Sequence, residues 1–192
     1  MPASWLAIVG ACILTSAGLY FFKKKSAAEW YGNAVFIWLL TWKFSVLLFQ
    51  FSMIRSHPLS ILYFHGGVKG YWLGFAITIL YTLSKVWSQN LRVADIYQVW
   101  ISSMIFYEVL QAILNQGLFL WTGIQLFFGV SFLLLVVKKK QVLWKEQLLI
   151  LYTGGQALFY SIHHNLLSAP MLTYLFMAIF LVIALRKWEV LE

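Results

Sequence analysis

Long apolar runs separated by short polar breaks follow one another along almost the whole chain. A helix that crosses the hydrocarbon core of a bilayer needs about 20 mostly apolar residues, and each run reaches or approaches that length. The runs lack the sustained polar and apolar alternation of a membrane barrel, so we expect helices. The pattern predicts seven spanning helices, at about 4–22, 30–53, 70–87, 95–114, 118–137, 147–163 and 170–185.

The composition excludes a water-soluble domain. Hydrophobic residues make up 62% of the 192 residues and charged residues only 10%, whereas about a quarter of the residues in soluble domains are charged. A mean hydropathy of +0.81 leaves too few polar side chains to cover a soluble globule of this size. The seven runs leave no separate soluble segment, so we expect one integral membrane domain over residues 1–192.

The positions of the cations predict the direction of insertion. If successive breaks alternate between the two sides of the membrane, most of the fourteen cations fall on one side, as is typical of cytoplasmic loops. That side carries Lys23, Lys24, Lys25, Lys85, Arg92, Lys138, Lys139, Lys140, Lys145, Arg186 and Lys187. We therefore expect the N-terminus outside and the C-terminus inside. Cations at span ends are typical headgroup anchors, which argues against a nucleic-acid partner.

Two ionisable residues, Lys43 and Glu108, stand out because they lie inside predicted spans and away from the span ends, where a charge is costly. A buried Lys–Glu pair that locks two helices together fits this pattern. A cation held open toward an anionic ligand fits it equally well, and so does a charge relay in a small transporter. The sequence leaves these interpretations open.

The break between the second and third spans is the most unusual stretch. Pro58 stops a helix, and the apolar run 61–64 is short, which predicts an interfacial or re-entrant segment. Glycine amides at Gly66 and Gly67 can cradle a phosphate, while glycines spaced four apart from Gly66 onward equally permit close helix packing. Next to His65 and Lys69 we favour binding of a lipid headgroup.

The histidines cluster on the predicted outer side. They are His57, His65, His163 and His164. Imidazole can act as a base or a metal ligand near neutral pH. No carboxylate accompanies these histidines at ligand spacing, so we expect neither a metal site nor another cofactor.

Three segments together resemble the prolipoprotein diacylglyceryl transferases, bacterial enzymes that move diacylglyceryl from phosphatidylglycerol to a lipobox cysteine. They are HPLSIL followed by FHGGVKG, TWKFSVLLF with Lys43 where an arginine is usual, and LLILYTGGQALFY. Seven spans in the same orientation also match that family. The resemblance implies a multi-pass protein of the bacterial plasma membrane. Its partners would be phosphatidylglycerol and, for the family reaction, a lipobox-containing prolipoprotein.

The resemblance also implies roles for particular residues. In the family reaction a cysteine thiol attacks the glyceryl carbon while glycerol phosphate leaves, which requires a base and positive charge near the phosphate. His65 would be the base, with Lys43, Arg55 and Lys69 on the phosphate. Tyr152 or Tyr160 would donate hydrogen bonds. The pair Gly66–Gly67 matches either of the family's two pairs, and the earlier pair would leave His65 unmatched.

The chain departs from the family pattern at several places, one of which is the short connection 115–117, where the family's outer head region cannot fit. After the fourth span, Asn115 is the only residue that matches the family's arginine-glycine-asparagine signature. In the sixth span the expected arginine and glutamate are replaced by Gln156 and Tyr160, or by Tyr160 and His164, depending on the register. We therefore expect a transferase-like protein that acts on or binds phosphatidylglycerol, with Glu108 among the binding residues. A non-catalytic lipid-binding or partner-binding descendant comes next, and a small transporter last.

Overall fold

Helices make up all of the regular structure in a computed structural model of the protein, which describes residues 3–56, 65–88, 91–115, 119–138 and 141–189. In chain order they are α1 (Ala3–Phe21), α2 (Lys25–Phe44), α3 (Val46–Phe49), α4 (Phe51–Ser56), α5 (Gly67–Trp87), α6 (Val93–Leu114), α7 (Phe119–Lys138), α8 (Val142–Ile162) and α9 (Ala169–Glu189). The predicted all-α fold is confirmed for these residues. The interfacial segment predicted around Pro58 lies outside them, as does His57.

Seven of the helices are long, and each overlaps one of the predicted apolar spans. They contain 19 to 22 residues, which corresponds to about 30 Å at 1.5 Å per residue. By length and composition, the stretches Lys25–Phe49 and Leu120–Lys138 are long and apolar enough to cross a membrane. Leu6–Phe21 and Ala169–Ile183 are apolar but shorter.

The second predicted span is interrupted in the structure. The Ser45 hydroxyl donates a 2.7 Å hydrogen bond to the carbonyl of Trp42, where α2 ends. A serine hydroxyl that bonds back to its own helix competes with the backbone ladder and often bends the helix. The chain then leaves helical geometry at Gln50, where φ is −137° and ψ is 39°. The apolar run alone gave no signal for this break.

The chain divides into two compact units, and the single membrane domain over residues 1–192 stays a prediction. Unit 2 is Lys24–Leu91, and unit 1 combines Met1–Lys23 with Arg92–Glu192. In unit 1, α6 is the central helix and packs against α1, α7, α8 and α9. In unit 2, α2 packs along α5.

Unit 1 buries polar side chains and exposes apolar ones. Gln156 is 0% exposed and Glu108 is 5% exposed, while Leu120 and Phe127 are 77% and 78% exposed. A soluble domain avoids large exposed apolar surfaces because water solvates them poorly. The distribution in unit 1 is the one that an apolar solvent favours.

Lys145 differs from the headgroup anchor that the topology predicts. It is 3% exposed. Its ammonium donates hydrogen bonds of 3.1 Å to the carbonyl of Ala94 and 3.0 Å to Oε1 of Gln98. The prediction failed because a lysine in the first turn of α8 faces α6, and sequence position near a span end does not reveal this direction.

Candidate functional site

Glu108 joins three helices of unit 1 through its carboxyl group. The hydroxyl of Tyr160, on α8, donates a 2.8 Å hydrogen bond to Oε1 of Glu108. The hydroxyl of Tyr174, on α9, donates a 2.6 Å hydrogen bond to the same oxygen. Among the residues that the structure describes, no hydrogen-bond donor contacts the second oxygen, Oε2. The tyrosines therefore fix the carboxyl group and leave one of its oxygens open.

A second polar layer lies between α7 and α8. The amide of Gln156 donates to the hydroxyl of Tyr152 at 2.9 Å and to Oε1 of Gln125 at 3.3 Å. The ring of Phe128 stacks on Tyr152 with centroids 5.2 Å apart, which fixes the tyrosine. Within the described chain the Oε1 atom of Gln156 is buried without a hydrogen-bond partner. Gln125 connects this layer to the space beside Glu108.

That space is a cavity of about 300 Å³ within unit 1. Its lining consists of Glu108, Gln111, Ala112, Asn115, Trp121, Thr122, Gln125, Phe159, Tyr160, His163 and Asn165. Four carboxamide side chains supply hydrogen-bond donors and acceptors together. Asn115 follows Glu108 by seven residues on α6, about 10 Å along the helix axis at 1.5 Å per residue. Glu108 therefore forms the floor of the cavity and Asn115 belongs to its rim.

The rim is shaped by the end of α8. The ring of His163 meets that of Trp121 edge to face, with centroids 4.4 Å apart. His164 then adopts a left-handed backbone with φ of 55°, and the amide of Asn165 donates to the carbonyl of Tyr160 at 2.9 Å. This turn places His163 and Asn165 on the cavity, while His164 is exposed and does not line it.

The predicted headgroup site around His65 lies in unit 2, and its glycine amides are already engaged. The amide of Gly66 donates to the carbonyl of Trp42 at 3.2 Å, and the amide of Gly67 donates to Nδ1 of His65 at 3.0 Å. Because Nδ1 accepts this bond, the neutral imidazole carries its proton on Nε2. In this geometry the exposed nitrogen of His65 is a donor and not a base.

The spaced glycines of α5 let this helix approach α2 closely. A Cβ atom added at Gly66 or Gly70 would collide with the side chain of Ser45. One added at Gly74 would lie 2.9 Å from the carbonyl oxygen of Trp38. The helix-packing interpretation of the glycine spacing therefore has a direct structural basis at these positions.

The cations predicted to bind phosphate lie on three elements of unit 2. Lys43 is half-buried in the last turn of α2, Arg55 is exposed at the end of α4, and Lys69 is exposed in the first turn of α5. Lys43 and Glu108 belong to different units. The hydrogen-bond donors to Glu108 are tyrosines.

Sequence reasoning missed most of the unit 1 site, including Gln125, Tyr174 and His163. Gln125 carried a usable signal, because an amide within an otherwise apolar run is costly unless it is satisfied. Tyr174 carried none, since a tyrosine near a span end is typically an interfacial anchor. His163 and His164 differ only in the backbone turn that separates them, so the sequence could not select His163.

Comparisons with protein-family models, curated proteins and solved structures found no match to this chain. The resemblance to the diacylglyceryl transferases thus stays a prediction from the sequence. Over the residues that it describes, the structure is all-helical and contains a buried carboxyl group beside a polar cavity.

Proposed function

We propose that this is a multi-pass protein of the bacterial plasma membrane with seven spans, its N-terminus outside and its C-terminus inside. The lengths of the seven helices, the apolar surface of unit 1 and the distribution of cations support this topology. In this orientation the connections after α6 and after α8 both face outward. The rim of the unit 1 cavity then lies at the level of the outer headgroups.

The function we propose is binding of phosphatidylglycerol through its headgroup in the unit 1 cavity. The observation that carries the proposal is the open Oε2 of Glu108, on a carboxyl group whose Oε1 is held by Tyr160 and Tyr174. The terminal glycerol of this lipid has two hydroxyl groups, which both donate and accept hydrogen bonds. They match a carboxylate oxygen and the surrounding carboxamides. An ammonium group only donates, and a phosphate group only accepts.

The size of the cavity also fits a headgroup. Its volume of about 300 Å³ lies at the lower end of the usual range of ligand pockets. The glycerol and phosphate fill such a space, while the acyl chains stay in the bilayer. A lipid held in this way needs no chemical step, so the proposal is a binding protein.

The test is lipid binding to the purified full-length chain in detergent, measured by native mass spectrometry. We expect tighter binding of phosphatidylglycerol than of phosphatidylethanolamine or phosphatidic acid. Glu108→Gln should weaken phosphatidylglycerol binding by on the order of tenfold, because one of the two acceptor oxygens is replaced by an amide nitrogen, which only donates. Glu146→Gln is the matched control, since Glu146 is 7% exposed on α8 and is not a cavity residue.

Two results would contradict the proposal. One is unchanged phosphatidylglycerol binding by Glu108→Gln protein whose melting curve shows that it is folded. The other is a preference for phosphatidylethanolamine that depends on Glu108, which would assign the cavity to an ammonium group.

Diacylglyceryl transfer is the second candidate. The exposed ring of His65 packs on Trp42 with centroids 4.4 Å apart, about one turn from the exposed Lys69, which favours a reactive role for this corner of unit 2. In the reaction a thiolate sulfur bonds to the glyceryl carbon, the carbon–oxygen bond to phosphate breaks, and the thiol proton goes to the base. His65 would have to release the Gly67 amide or change tautomer to accept that proton, so we rank binding first.

The two candidates differ in one product. Incubation with phosphatidylglycerol and a lipobox peptide should leave the peptide mass unchanged if the protein only binds lipid. A mass gain of one diacylglyceryl group that disappears with His65→Ala would make the transferase the correct assignment.

A further inference from the structure

The floor of the cavity is the carboxyl group of Glu108, and the proposed ligand carries a phosphodiester. An ionised Glu108 would repel a phosphodiester beside it, and this repulsion is strong where water is scarce. The lipid therefore requires an orientation that separates the two groups. This inference rests on the proposed function and concerns how the headgroup is recognised.

We infer that His163 receives the phosphodiester at the rim of the cavity, so that the headgroup enters with its terminal glycerol first. Among the described cavity residues, His163 is the only one that can carry a positive charge. A cationic imidazole also donates from both ring nitrogens, as an acceptor-only phosphate requires.

The position of His163 separates the phosphate from the carboxyl group. His163 follows directly after the last residue of α8, and Tyr160, which binds Glu108, lies one turn deeper. On α6 the rim residue Asn115 is about 10 Å along the axis from Glu108. The extended glycerol of the headgroup spans the interval between floor and rim.

The orientation of His163 is built into the fold. Its ring is held edge to face against Trp121, and its amide donates to the carbonyl of Phe159 at 3.3 Å. The side chains of Asn115 and Asn165 lie on the same rim and add neutral amide donors. The phosphate thus meets the imidazole of His163 and two neutral amide donors, while the floor offers carboxyl oxygens to the glycerol hydroxyls.

His164 supplies a matched control. It is the same residue type one position further on, it is exposed, and it does not line the cavity. A general effect of a cation near the lipid surface would be shared by both histidines. A specific contact with a bound phosphate belongs to His163 alone.

The experiment compares two lipids that share hydroxyl groups and differ in phosphate. These are phosphatidylglycerol and the uncharged monoglucosyl diacylglycerol, added to the purified full-length protein in detergent. We expect His163→Gln to weaken phosphatidylglycerol binding by about fivefold to tenfold, since a charge-assisted contact is lost, and to leave glycolipid binding unchanged. His164→Gln should bind both lipids as the wild-type protein does.

Equal loss for both lipids with His163→Gln, or equal effects of the two histidine substitutions on phosphatidylglycerol, would overturn the inference. Unchanged phosphatidylglycerol binding with His163→Gln would overturn it as well. These outcomes are distinct from failure of the proposed function, because that function is tested by the affinity of the Glu108→Gln protein for both lipids. If Glu108→Gln leaves both affinities intact, the cavity assignment fails whatever His163 does.

Discussion

The hydroxyl of Tyr174 donates a 2.6 Å hydrogen bond to Oε1 of Glu108, which connects α9 to α6 across 66 positions of the chain. Tyr160 donates to the same oxygen from α8. A buried carboxyl group is usually expected to find a cation. Here two phenol groups satisfy one oxygen and hold three helices together, and the other oxygen stays available to a ligand.

Tyr174→Phe should lower the stability of the protein by about 1–3 kcal/mol, because a buried acceptor loses one of its donors while the ring still fills its space. The measurement is the melting temperature in detergent. Tyr20→Phe serves as the control, because the Tyr20 side chain is 60% exposed. Equal melting temperatures for the wild-type and Tyr174→Phe proteins would contradict a structural role for this bond.

Gly74→Ala should destabilise the packing of α5 on α2 by about 1–3 kcal/mol, since overpacking forces a backbone shift. The added Cβ would lie 2.9 Å from the backbone carbonyl of Trp38, which cannot rotate away. Gly32→Ala on α2 is the matched control, because nothing lies within 4 Å of its added Cβ. There we expect a gain of about 0.5–1 kcal/mol from helix propensity. Thermal melting of both variants checks the two signs.

Lys145→Ala should cost about 1–3 kcal/mol, because the carbonyl of Ala94 and the amide of Gln98 lose a donor inside the bundle. Lys138→Ala, at the exposed end of α7, should change the melting temperature little. If the two lysine variants have the same melting temperature, Lys145 acts only as a surface anchor, as its position in the sequence predicted.

The proposed orientation predicts the labelling of single cysteines in intact cells. In a Cys12→Ser background, His164→Cys should react with a membrane-impermeant maleimide. Lys138→Cys should react only after permeabilisation, because Lys138 lies at the end of α7 that faces the predicted inner side of the membrane. The opposite pattern would reverse the topology, and external labelling of both positions would show that α8, which lies between them, does not cross the membrane.

Within the described residues, each long helix overlaps a predicted apolar run, because the length of an apolar run is a local property of the chain. The sequence indicated that the glycine spacing on α5 permits close helix packing. It did not indicate that α2 is the partner helix. The break at Gln50 and the burial of Lys145 were not predictable. Both depend on which way a side chain points once neighbouring helices are in place.

The sequence by itself determined a helical chain with an apolar composition, and it singled out Lys43 and Glu108 as charged groups that an apolar environment must satisfy. Tyr160 and Gln156 entered only through the family resemblance. Only the tertiary structure decided that tyrosines from α8 and α9 meet Glu108, and that His163 lines the cavity and His164 does not. The reason is physical. The free energy of burying a polar side chain depends on that residue's own chemistry. A hydrogen bond between distant positions depends instead on the helix rotations and turns that bring two side chains within about 3 Å.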